Sequence, residues 1–172
     1  VLFRSQDERF QRKVIKIFEN AGVDKRYGIM DAEEVFSKTS FEEKNDIYKR
    51  ETIKLAEQSL TKALSKSKLK PTDINYIITV SCTGIMIPSV DAYLINKLGM
   101  NQDIVRLPVT EMGCAGGTSS LIYAQQYLKA NPGNKLAIVS FESPTSTFQH
   151  TDDSMTNVVS SALFGDGVAA VI

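Results

Sequence analysis

The run Thr110-Glu111-Met112-Gly113-Cys114-Ala115-Gly116-Gly117-Thr118-Ser119-Ser120-Leu121 holds the residues of this chain best suited to covalent chemistry. Cys114 is its centre, because a cysteine thiolate is a strong nucleophile and a carrier of acyl groups. Gly113, Gly116 and Gly117 let the backbone turn tightly and let a second molecule come close. The apolar run Ile104 to Val109 predicts a buried strand before the cysteine, and a helix-forming segment from about Ser119 to Lys129 follows it. Cys114 then stands at a strand-to-helix turn. Unpaired N–H groups and the positive end of the helix dipole favour a thiolate there. A small core cysteine fits the same spacing.

A second polar stretch, Ser81 to Asp91, contains Cys82 and Thr83 and follows the apolar run Ile74 to Val80. Open α/β sheets bind ligands at the carboxyl ends of their strands, which is where this stretch falls. Arg9, Arg12 and Lys16 recur at the spacing of one helix face. They could meet a phosphate-bearing ligand as a strip, and a solvated charged face accounts for the same spacing. His150, the only histidine, lies in the polar run Thr147 to Asp152, which matches no catalytic motif.

The elements that must position these residues can be read from the apolar pattern. Asp7 to about Asn20 is a helix with Phe10, Val14, Ile17 and Phe18 on one face, and Gly22 ends it. Ser40-Phe41-Glu42-Glu43 has the form of a capping box and opens a long helix whose stripe is Ile53, Ala56, Leu60, Ala63 and Leu64. That helix reads as scaffold without chemistry. Val90 to Leu98 is a further helix, Asn131-Pro132-Gly133 a turn, and Leu136 to Phe141 another buried strand. The run Ala162 to Gly167 breaks the chain before Val168-Ala169-Ala170-Val171-Ile172, an apolar segment expected as a central strand.

The 172 residues suffice for one core, and the composition is that of an ordinary α/β protein. Twenty basic residues balance twenty acidic ones, so net charge gives no reason to expect a nucleic-acid or anionic-membrane partner. The two cysteines form no metal-binding spacing, nothing resembles a signal peptide or a membrane span, and the cytoplasm with free thiols is the expected compartment. The chain begins at Val1 without a methionine and stops in an apolar strand. It is therefore expected to be one domain, residues 1–172, of a longer protein cut at its carboxyl side.

The ordered set Thr83-Gly84-Ile85, Pro88, Asp91, Gly113-Cys114 and Leu163-Phe164-Gly165-Asp166-Gly167 resembles the amino-terminal half of a chalcone synthase-like, type III polyketide synthase. The resemblance runs from about Asp7 to Ile172, and the Thr83 to Asp91 loop is more like the bacterial members. It implies a thiolase-like α/β fold, layered α-β-α-β-α in the parent protein, of which this chain is the first half. It implies that Cys114 takes an acyl group from coenzyme A and holds the growing polyketide as a thioester. It further implies Phe164 as a gate between acyl tunnel and cavity, Cys82, Thr83 and Thr147 in the starter pocket, and Arg9, Arg12 and Lys16 as coenzyme A contacts. Without the resemblance, Phe164 would read as a core aromatic before a tight turn. Starter acyl-CoA and malonyl-CoA are the implied substrates, a homodimer the implied assembly, and neither a metal nor a prosthetic group is called for.

Ala115 and Pro144 depart from the residues common in plant members, and Ile87 falls where those members reach across the dimer with a methionine. The family's catalytic histidine and asparagine belong to the second half, and His150 matches neither. Ketoacyl-ACP synthase III and hydroxymethylglutaryl-CoA synthase share the cysteine-on-helix arrangement and are the alternatives within the superfamily. A non-catalytic thiolase-like interaction module is the alternative outside enzymes.

Overall fold

The computed structural model describes residues 7–37 and 40–172; the amino-terminal boundary expected at Val1 lies outside them. The described residues form α1 (Glu8–Asn20), α2 (Ala32–Ser37), α3 (Phe41–Ser67), β1 (Tyr76–Val80), α4 (Val90–Leu98), β2 (Val105–Val109), α5 (Gly116–Ala130), β3 (Leu136–Glu142), α6 (Pro144–Thr147), α7 (Met155–Leu163) and β4 (Gly167–Val171). Local chemistry sets several of these boundaries. Asp7 caps α1 by accepting the Phe10 N–H at 2.7 Å. The expected capping box opens α3, with Ser40 Oγ accepting from Glu43 N and Glu43 reaching back to Ser40 N.

The sheet has the order β2-β1-β3-β4. β1 is parallel to both β2 and β3, and β4 is antiparallel to β3. All five residues of β1 are buried, as expected of a strand covered on both faces. Ile77 packs with Ala137, Val139, Ala56, Leu60 and Leu94 on the face covered by α3 and α4. Ile78 and Val80 pack with Ile138, Val109 and Ala124 on the face covered by α5. Burial of side chains such as Ile77 and Ile78 contributes about 1.5–3 kcal/mol each. These layers are the α-β-α part of the expected α/β architecture.

Several elements differ from expectation. β2, expected to be buried, lies at one edge of the sheet among the described residues, with Val105, Arg106 and Pro108 exposed. β4 lies at the other edge of the sheet rather than in its centre, and alternate residues, including Val171, are exposed. α7 was hidden by its short, Ser-rich sequence; it forms because Ser154 caps it through Asn157 N and because Val158 is buried against Val14 of α1. α5 begins at Gly116, earlier than Ser119, so two glycines form its first turn.

Candidate active site at the carboxyl edge of the sheet

Because β1, β2 and β3 run in parallel, the segments that follow them leave the sheet at one edge. β4 is antiparallel and pairs Gly167 with Glu142, so the turn that precedes it lies at that edge too. The topology thus gathers the Ser81 to Asp91 loop, the Cys114 turn, Glu142 to Thr147 and Phe164 to Asp166.

Cys114 is exposed, in a 3-10 turn, Gly113–Ala115, that runs directly into α5. The approach is strained: Glu111 has φ +62° and Gly113 φ +52°. A left-handed conformation costs a non-glycine residue of order 1 kcal/mol, a strain typical of functional turns. Gly116 is buried, and a Cβ there would lie 2.6 Å from Cγ1 of Val80. The absence of that carbon lets the start of α5 sit directly on the end of β1.

Cys82 and Thr83 are held by a residue the sequence did not single out, Glu142 at the end of β3. Its carboxylate accepts the Cys82 N–H at 3.1 Å and the Thr83 hydroxyl at 2.8 Å, and the Cys82 thiol approaches it at 3.6 Å. Thr83 Oγ1 in turn accepts from Ser143 N at 2.7 Å. Desolvation, then the adjacent Glu142 carboxylate, pushes the Cys82 thiol above the ordinary cysteine value; the Gly113 backbone acts in the opposite direction.

α3 is more than scaffold. The Asn45 side chain pairs with both backbone groups of Ile85, at 2.8 and 3.0 Å, and the Tyr48 phenol bonds Ser81 Oγ at 2.6 Å. Gly84 lies against the Tyr48 ring, where a Cβ would come within 2.3 Å of Cδ1. The buried Lys44 amine donates to Phe148 O, and desolvation pushes its pKa down.

Of the remaining candidates, Thr147 is exposed and its hydroxyl donates to Pro144 O at 2.9 Å. Phe164 follows α7 directly and is 47% exposed, so it is not a core aromatic of this chain. The turn it belongs to is fixed by Asp166, whose carboxylate accepts from Ile29 N at 2.7 Å, Thr145 N at 2.9 Å, Ser143 Oγ at 3.3 Å and the Thr145 hydroxyl. One aspartate ties the Tyr27 to Met30 segment, the start of α6 and the turn before β4 together. Arg9, Arg12 and Lys16 are exposed along α1, away from this cluster of hydrogen bonds. Arg12 pairs with Glu8 at 3.2 Å, and Lys16 borders a groove of about 420 Å3 with Lys13, Met155, Val159 and Leu163. The groove connects α1 to the end of α7, next to Phe164. His150 packs edge-on against Phe36 with ring centres 6.2 Å apart.

A single sequence signal could have found Glu142, a charged residue ending a buried apolar strand at its carboxyl end. Asn45, Tyr48 and Asp166 carry no such signal, since their roles depend on contacts distant in sequence. Among the described residues no group of three or more His, Cys, Asp or Glu could hold a metal ion, and no helix is long and apolar enough to cross a membrane.

The environment of the two cysteines leads to an expected difference in reactivity. Iodoacetamide should modify Cys114 faster than Cys82 near neutral pH, because a raised pKa leaves less thiolate on Cys82. Glu142→Gln keeps an acceptor for Cys82 N and Thr83 but removes the negative charge, so it should speed Cys82 alkylation partly, desolvation remaining. Peptide mapping against time measures both rates; equal rates in the parent protein would contradict this account.

Known proteins resemble this chain over most of its length. Residues 3–172 match the family described as chalcone and stilbene synthases, N-terminal domain. The 1,3,6,8-tetrahydroxynaphthalene synthase of Streptomyces coelicolor is 34% identical over 158 residues, 92% of this chain and 42% of that protein. The phloroglucinol synthase of Pseudomonas fluorescens is 31% identical over 157 residues, 91% of this chain and 45% of that protein. The crystal structure of the Streptomyces coelicolor synthase, a bacterial type III polyketide synthase, superposes with a TM-score of 0.92 at 32% identity, over 97% of this chain and 48% of that one. The type III polyketide synthase domain of Steely1 from Dictyostelium gives 0.85 at 33% identity, over 96% and 47%. The chain therefore spans somewhat less than half the length of these relatives. It belongs to the chalcone and stilbene synthase family and carries that family's amino-terminal domain.

Proposed function

We propose that the protein to which this chain belongs is an acyltransferase of the type III polyketide synthase kind, which condenses malonyl-CoA onto a starter acyl group held on Cys114. The observation that supports this reading most is the exposed Cys114 on a glycine turn at the start of α5, in a chain of this family. Membership also favours it over the ketoacyl-ACP synthase III and hydroxymethylglutaryl-CoA synthase alternatives and over a non-catalytic module.

The chemistry follows from a thiolate at that position. It attacks the carbonyl of the starter acyl-CoA and expels the thiolate of coenzyme A, leaving an acyl thioester on Cys114. Malonyl-CoA loses carbon dioxide, and the electron pair of the broken bond becomes an enolate. The enolate attacks the Cys114 thioester, the cysteine thiolate leaves, and a β-ketoacyl-CoA is formed. Electrons and atoms balance without a metal or prosthetic group. Stabilising the enolate needs aligned donors, and the family resemblance assigns that role to a histidine and an asparagine of the second half. Cys82, Thr83 and Thr147 would border the starter, Phe164 would flank the entry, and the assembly would be a homodimer.

Arg9, Arg12 and Lys16 would hold the phosphates of coenzyme A, with the α1/α7 groove leading toward Phe164. The Arg12–Glu8 pair is exposed and worth little, so it yields readily to a phosphate. Steady-state kinetics of the full-length protein with radiolabelled malonyl-CoA and a panel of starter acyl-CoAs test the proposal. Labelled polyketide is the expected product. Arg12→Ala or Lys16→Ala should mainly raise KM for acyl-CoA, by about 1 kcal/mol or a little more per contact. A large fall in kcat at unchanged KM would assign the helix another role, and the absence of any condensation would refute the reading.

A further inference from the structure

The condensation makes no use of Arg26, yet this half-buried side chain holds the turn that carries Phe164 from both sides. α7 ends at Leu163, and the last carbonyls of a helix have no partner within it. One of them, Ala162 O, accepts from the Arg26 guanidinium, and a cation at that end also complements the helix dipole. Ala162 and Val158 are fully buried, so this is the fixed side of the turn. Beyond Phe164, Gly165 packs on the stem of Arg26: a Cβ there would lie 3.3 Å from Cβ and 3.4 Å from Cγ of the arginine. Asp166 N then donates to Tyr27 O at 2.9 Å. The backbone is thus held before and after Phe164, whose ring is 47% exposed. Arg26 is itself braced by α1. Its guanidinium carbon stands 5.6 Å from the centre of the Phe18 ring, and α1 meets α7 through Val14 and Val158. A planar guanidinium can lay its face on a ring while its edge donates to a carbonyl, which a lysine ammonium cannot do in one pose.

We propose that Arg26 is a positioning residue for Phe164: by holding Ala162 O and Gly165 it fixes the bearing of the ring and so selects which acyl chains pass to Cys114. The inference rests on the proposed function, in which Phe164 flanks the path to Cys114. Without the guanidinium, Ala162 O loses its partner, the last turn of α7 loosens, and Phe164 sweeps a wider range. The path then discriminates less between small and bulky groups.

Two measurements on the full-length protein test this. The first is alkylation of Cys114 by iodoacetamide and by the bulkier pyrenyl maleimide, followed by peptide mass mapping. The ratio of the bulky to the small rate should rise about two- to fivefold in Arg26→Met, which keeps the stem against Gly165 but removes the cation from the helix end. Arg26→Lys, which can still donate to Ala162 O, should fall between. Phe164→Ala should raise the ratio at least as far, and Arg26→Met should add nothing to it, because both changes act through one ring. The second measurement is kcat/KM over acyl-CoA starters of increasing length, where the preference among them should narrow by a similar factor. A purely structural role would lower the melting temperature and scale all starters and both reagents alike. If Arg26→Met does not fold, Phe18→Leu, which removes the ring beneath the guanidinium, is read in the same way. An unchanged reagent ratio in the folded variant, or full addition of its effect to that of Phe164→Ala, would overturn the proposal. So would an unchanged ratio in Phe164→Ala, since there would then be no gate to position. Alkylation needs no turnover, so a protein that gives the expected ratios but no polyketide would keep the Arg26 assignment and lose only the condensation.

Discussion

Replacing Cys114 with alanine should leave the full-length protein folded and lower polyketide formation by at least about 10^3-fold, as losses of covalent nucleophiles do. The fold should tolerate the change because Cys114 is exposed and its turn is shaped by Gly113 and by the close seat of Gly116 on Val80. Exposed substitutions away from such features usually shift stability within about 0.5 kcal/mol. Activity should not survive, because no second thiol stands ready. Cys82 lies nearby, but desolvation and Glu142 hold it in the thiol form to higher pH. The residual rate of the variant should therefore rise with pH if Cys82 substitutes at all, since its thiolate appears only as pH climbs through the raised value. Intact-mass measurement after incubation with starter acyl-CoA gives the decisive reading. The parent protein should carry an acyl adduct on the Cys114 peptide and the variant none. An adduct retained in Cys114→Ala and lost in Cys82→Ala would move the nucleophile to Cys82.

The sequence was most informative where a residue type and its immediate neighbours decide the structure. Cys114 between glycines, the Ser40 to Glu43 box and the apolar runs of β1 and β3 are all local signals, and each element formed where expected. Long-range roles were less legible. The long helix α3 reads as an amphipathic scaffold, yet Asn45 and Tyr48 hold the loop that carries Cys82 and Thr83. Neither role has a periodic or spacing signature, because the partners lie more than thirty residues away. Val168 to Ile172 reads as a central strand because its residues are apolar, but burial depends on what lies beside a strand, and among the described residues β4 has a neighbour on one side only. The glycines of the family motif were legible as glycines. Their physical reasons, Tyr48 against Gly84 and Val80 against Gly116, appear only when the elements are packed.

Gly84 supplies the sharpest test of that packing. A methyl at residue 84 would meet three ring atoms of Tyr48 at 2.3 to 2.4 Å, far inside any real contact. Tyr48 is 3% exposed and its ring packs edge-on against Phe141 with centres 5.7 Å apart, so it cannot swing away. Either the ring or the loop must move, and the loop is tied on both sides by the Tyr48–Ser81 bond and the Asn45–Ile85 pair. Gly84→Ala should therefore destabilise the protein by about 1–3 kcal/mol, the usual cost of overpacking, with more if the Ser81 bond breaks. Tyr48→Leu alone should also destabilise, by removing the ring and the phenol. Combined, the two changes should cost clearly less than their sum, because the leucine vacates the space that the added methyl needs. Urea midpoints of the four proteins close the double-mutant cycle. A displaced loop should also free Cys82 from Glu142, so alkylation of Cys82 should speed up in Gly84→Ala and slow again in the double variant if the loop returns. Strict additivity of the two stability losses would mean that the Tyr48 ring is not what demands glycine at residue 84.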